Sequence, residues 1–167
     1  MSIFKKKVIR TDDELIAISK DITDLCIDEP LMNNGIIWTY DHHLPLKDET
    51  DIRVSKDNWN LPHKQKKEIL HKLDILADYA ADMINKYRDK GWEPYSFNNT
   101  VCFEDELLPR WIVFPHYPRK TLGWRMGLGE VYASLYHSYL HSLSDIEKKE
   151  HEKKYPMPEY FKLFECE

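Results

Sequence analysis

At 167 residues the chain is the size of one domain, and it can bury roughly 70% of the surface its unfolded form exposes, so it folds without disulfides or a structural metal. Apolar residues at 42% and aromatics at 13% supply a core and exclude intrinsic disorder, while a formal charge of −5 argues against general coating of DNA. Three scattered cysteines, Cys26, Cys102 and Cys166, form no CxxC pair, and no apolar run follows the basic start MSIFKKKVIR; a reducing, cytoplasmic setting with no secretion signal and no membrane span is the expectation.

Thr11 opens TDDE, a capping box in which Glu14 reaches back to the Thr11 amide, and Leu15, Ile18, Ile22 and Leu25 then recur at helical spacing. This predicts a first helix to about Ile27, ahead of Pro30. Asn34-Gly35 signals a turn, IIWTY after it reads as a strand, and DIRVS from Asp51 is a weaker strand candidate. The longest element spans about Leu61 to Lys90: Ile69, Leu73, Leu76, Ala80, Met83 and Tyr87 line one stripe, Pro62 stands near its start, and Gly91 suits the residue just past its end.

After Gly91 the pattern shortens. WEPYSF, TVCFE and RWIVF are aromatic or β-branched and broken by Pro, Asn-Asn and the acidic loop EDELLP, the signature of antiparallel strands. Helix returns from Gly129 to Leu143 and again from SDIE, a second capping box at Ser144 and Glu147, through KKEHEKK; PMPEYFKLF closes the chain as an aromatic clasp. The expected fold is a single α+β domain over residues 1–167, with a small antiparallel sheet of about three to five short strands packed on the long central helix and a C-terminal helical segment.

Candidate chemistry concentrates at PRKTLGWRMGLGE. The chain has five glycines, and three of them, Gly123, Gly127 and Gly129, lie in this one stretch. From Leu107 to Gly129 the only charged residues are Arg110, Arg119, Lys120 and Arg125. A glycine-rich loop feeding a helix start points free N–H groups and the positive dipole end at an anion. Arg119, Lys120, Thr121 and Arg125 add charge and donors, and Trp111, Tyr117 and Trp124 interleave as stacking surfaces. The spacing is neither that of a P-loop nor that of a dinucleotide fingerprint. The plainer alternative is a turn at Gly127 and Gly129, a core Trp124 and an ion-paired Arg125.

In the following helix Leu128, Val131, Tyr132, Leu135, Tyr136, Tyr139, Leu140 and Leu143 fill the core arc, whereas Glu130, Ser134, His137 and His141 share a polar stripe. Glu130 and His137 are the types that general acid–base work uses, and His137/His141 at i,i+4 is a two-ligand metal motif without HExxH or a third ligand; a solvated polar face is the alternative. Asp41-His42-His43 is a weaker metal candidate, and Cys102, between Val101 and Phe103, reads as a buried structural thiol.

Three functions follow, in this order. The first is a non-catalytic protein binding an anionic, nucleotide- or phosphate-like ligand through Arg119, Lys120, Thr121, Trp124, Arg125 and Glu130. The second is an inhibitor- or immunity-type module that meets a basic protein through the acidic first helix and Glu104–Glu106. The third is a phosphoester- or nucleotide-processing enzyme with Glu130 and His137 as acid–base pair and Arg125 stabilising charge. No cofactor is expected.

Overall fold

In the computed structural model of the chain, the described residues are 10–28, 63–96, 100–115, 127–158 and 161. They form five helices: α1 (Asp12–Asp28), α2 (His63–Asp89), α3 (Arg110–Val113), α4 (Gly127–Ser142) and α5 (Asp145–Lys154). α2 lies against α1, α3 and α4, and α3 wedges between α1 and α4. Leu15 and Ile22 of α1, Ile69, Leu73, Leu76, Ala80 and Ile84 of α2, and Leu128, Tyr132 and Leu135 of α4 meet in one contiguous core. Among the described residues no helix is long and apolar enough to cross a membrane.

The predicted helix ends hold. The Thr11 amide donates to the Glu14 carboxylate at 2.8 Å and the Glu14 amide to Thr11 Oγ1 at 3.3 Å. Ser144 and Glu147 repeat the box at α5. α2 ends in a Schellman motif, in which the Trp92 N–H reaches the Tyr87 carbonyl at 2.8 Å and the Gly91 N–H the Arg88 carbonyl at 2.9 Å. That geometry needs a left-handed residue, and Gly91 supplies it with φ of 91°.

The expected α+β architecture is overturned: no strand occurs among the described residues, and the fold there is helical. IIWTY, DIRVS and Asp41-His42-His43 lie outside them. RWIVF, expected as a strand, forms α3. A short all-apolar run has no readable period, and here Trp111, Ile112, Val113 and Phe114 are all buried, which a single turn enclosed by helices achieves as well as a central strand does. Pro109, at φ −59°, leads into the turn, and its carbonyl accepts from Ile112 and Val113. In WEPYSF, Pro94 and Tyr95 make a turn rather than a strand.

TVCFE has no regular secondary structure, but its alternation is real: Val101 and Phe103 face the core while Cys102 and Glu104 are exposed. The run lies on helices instead of in a sheet, a distinction that a period of two does not carry. Cys102 is therefore an exposed thiol, not the buried one expected, because it occupies the outward phase between two inward residues.

Two substitutions in or beside α2 separate packing from backbone strain. Leu76→Ala, at a fully buried position, should cost about 2–5 kcal/mol. Gly91→Ala should cost only about 1 kcal/mol, since an added Cβ meets nothing within 4 Å and only the left-handed φ resists it. Urea denaturation of the two variants checks the contrast; equal losses would contradict it.

Candidate functional site

Backbone outside regular secondary structure must find hydrogen-bond partners, and without a sheet residues 104–108 find tyrosines. The Tyr87 hydroxyl, buried on α2, accepts from the Glu104 N–H at 3.2 Å and the Asp105 N–H at 3.1 Å, and donates to the Asp105 carboxylate at 2.8 Å. One donor and two lone pairs are all used. Leu108 is held from both sides: its N–H donates to the Tyr79 hydroxyl at 3.1 Å, and its carbonyl accepts from the Tyr132 hydroxyl at 2.7 Å. Burial drives both phenols upward, Tyr79 to about 12 and Tyr132 well above its ordinary value, so they stay protonated.

The three acids at 104–106 each bind a cation of their own chain. Glu104 pairs with Lys90 at 2.6 Å, Asp105 with Lys86 at 2.5 Å, and Glu106 with Lys154. The hydrogen bond from Lys86 holds the Asp105 carboxyl below its usual range. Burial would raise Glu106, but hydrogen bonds from Lys154 and His151 outweigh it and hold this carboxyl low as well. An interface built on these acids would compete with internal partners. The acids of α1 are paired in part as well: Asp21 meets Lys72 at 3.0 Å and Asp24 meets Lys20 at 2.9 Å.

Glu106 also starts a buried polar chain that hydrophobic periodicity does not reveal. His151 Nδ1 stands 3.1 Å from Glu106 Oε1, and its Nε2 stands 3.1 Å from the Tyr136 hydroxyl. With Glu106 ionised, Nδ1 must carry a proton and donate; in the neutral imidazole Nε2 then accepts from Tyr136. Carboxylate, imidazole and phenol in series can relay a proton. Yet His151 is only 3% exposed and is walled by the rings of Tyr136, Tyr139 and Tyr155, so no substrate reaches it. The chain is a clamp. α5 needs one, because its apolar residue Ile146 is 71% exposed and His151 is the helix's buried contact. In the sequence, that role shows only as an imidazole set in a run of lysines and glutamates.

Nearby, the buried Trp111 indole N–H lacks an acceptor among the described residues. Its desolvation costs about 1–3 kcal/mol, which the burial of a ring this large, worth about 5 kcal/mol, outweighs.

Of the sequence-derived ligand residues, Glu130 is placed in the first turn of α4; Arg119, Lys120, Thr121, Trp124 and Arg125 lie outside the described residues. Gly127 opens the helix at φ 72°, which accounts for a glycine there, and Gly129 is buried. The polar stripe divides. Its first half is covered by the turn after α2: the Tyr95 N–H donates to Ser134 Oγ at 3.1 Å, Trp92 Nε1–H donates to Ser138 Oγ at 3.2 Å, and burial together with the nearby Glu130 charge raises the Tyr95 phenol. Its second half is open, with His137 and His141 exposed and their Nε2 atoms 3.2 Å apart. Partial burial, then His141 and Arg110, lower the His137 pKa. Glu130 and His137 stand two turns apart, about 10 Å along the axis, and each has a different neighbour.

Tyr95 is the outlier of this region. It adopts φ of 62°, a conformation that costs a non-glycine residue about 1 kcal/mol or more, and it is 57% exposed. Its backbone bond to Ser134 holds it there. None of the known protein families, curated proteins or solved structures matches the chain.

Glu106→Ala should destabilise the fold by about 1–3 kcal/mol through the orphaned His151 Nδ1–H. Acid should reproduce part of this loss. Glu106 and Asp105 are lower in the folded chain than in the unfolded one, so their contribution is complete above the unfolded carboxylate value, about 4, and fades as pH falls through the folded values. Asp12, raised chiefly by burial, works in the opposite sense. Urea midpoints between neutral pH and pH 3 should fall less steeply in Glu106→Gln than in wild type; parallel curves would exclude this role.

Proposed function

We propose that the chain is a non-catalytic binding protein that takes an anionic, nucleotide-like ligand at the N-terminal end of α4. The observation that carries this reading is Tyr95, a strained and exposed aromatic pinned by Ser134 and set near Glu130 beside the helix start. A half-exposed ring beside the first turns of a helix offers a base a surface to stack on, while the positive end of the helix dipole favours phosphate.

The charge comes from the segment that runs into α4. Arg119, Lys120, Thr121, Trp124 and Arg125 all precede α4 in the sequence. Arg125 supplies the bidentate grip on phosphate, Lys120 and Arg119 add diffuse charge, and Thr121 adds a hydroxyl donor. Leu128 and Gly129 sink into the core and anchor the helix start on which the site is built.

Thermal shift in a nucleoside triphosphate and in inorganic phosphate tests this. Saturation at 100 times Kd is worth about 2.7 kcal/mol, or roughly 5–10 °C for a chain of this size. Arg125→Ala should abolish both shifts, whereas Tyr95→Ala should reduce the nucleotide shift and spare the phosphate one. No shift in wild type with any nucleotide, or a full shift in Arg125→Ala, would defeat the reading.

A further inference from the structure

The open half of the α4 stripe carries a second, independent signal. His137 and His141 are one turn apart on the same face, both exposed, with ring centroids 4.3 Å apart at an interplanar angle of 64° and Nε2 atoms 3.2 Å apart. Two nitrogens bound to one late transition-metal ion at about 2.0–2.1 Å, with an angle between about 90° and 109°, lie about 2.8–3.4 Å from each other. The observed separation falls inside that interval, so one ion can reach both nitrogens with little change in their spacing.

We propose that His137 and His141 form a surface chelate for a divalent late first-row transition ion of the zinc, nickel or copper type. In the metal-free pair, one Nε2 donates its proton to the other. In the loaded pair both rings carry their proton on Nδ1, both Nε2 atoms bind the ion, and water fills the remaining positions. Imidazole nitrogen selects such ions over magnesium and calcium, which prefer oxygen. Among the described residues no cluster of three or more His, Cys, Asp or Glu is placed to hold a metal, so this is a two-ligand, exchangeable site rather than a closed structural one.

The scaffold favours the geometry. Leu135, Tyr136 and Tyr139 bury the opposite side of the same turns, fixing the helix so that binding need order only two side chains. An ion spanning i and i+4 also clamps the last turns of α4, which ends at Ser142.

Calorimetric titration of the full chain with Zn²⁺ and with Ni²⁺ at neutral pH tests the assignment. One ion should bind per pair. Either His137→Ala or His141→Ala should weaken binding by at least the roughly tenfold that loss of even an outer partner of a metal site costs. Both side chains are exposed, so circular dichroism should show an unchanged fold in either variant. The double variant His42→Ala/His43→Ala, which keeps the α4 pair, should titrate like wild type, and Mg²⁺ should not compete. Failure of wild type to take up Zn²⁺ or Ni²⁺, affinity unchanged in both single variants, or loss confined to the His42/His43 variant would each overturn the proposal. Neither Arg125 nor Tyr95 enters the chelate, so its outcome is separate from that of the anion site.

Discussion

Residues 100–109 carry no regular secondary structure, and α2 and α4 both supply hydrogen bonds to their backbone. A strand in a sheet shares its N–H and C=O groups with a neighbour; here three tyrosine hydroxyls take the neighbour's place. Because Tyr79 and Tyr87 belong to α2 and Tyr132 to α4, the segment is fastened to both helices at once. The cost of stranding a buried amide is comparable to a whole hydrogen bond, so these contacts constrain the position of both helices and not only that of the segment.

The carboxylates of the segment extend the same fastening outward. Asp105 ties it back to α2, and Glu106 ties it to α5 through His151 and Lys154. α5 itself is too polar to dock by apolar burial: its exposed Ile146 contributes little, and its buried residue is an imidazole. A histidine in that position is usable because a carboxylate and a phenol satisfy its two nitrogens. The same enclosure that makes the network a good clamp closes it to a substrate.

α4 thereby serves three neighbours. One side is core, a second is covered by the turn holding Trp92 and Tyr95, and the last carries His137 and His141 into solvent. Covering the first half of the stripe separates it chemically from the open half. Glu130 lies near Tyr95 at the helix start, while the histidines are left to each other two turns further on. The proposed anion site and the proposed metal chelate follow from that partition, which no single-helix projection contains.

Features local to a helix are legible from residue spacing alone. The capping boxes at Thr11 and Ser144, the stop at Gly91, the core stripe of α2 and the two faces of α4 depend on residues within about four positions of one another, and all can be read from spacing. The His137/His141 pair belongs to the same class, since one turn of helix brings the rings together. Tertiary structure decided the rest. Whether TVCFE joined a sheet or lay on helices, whether RWIVF was a strand or one buried turn, and whether Glu106 and His151 faced solvent or each other depended on partners tens of residues away. Extended backbone has no internal hydrogen bonds to declare its state. Its period of two records only that one side is buried, and the partner that covers that side is chosen by the fold.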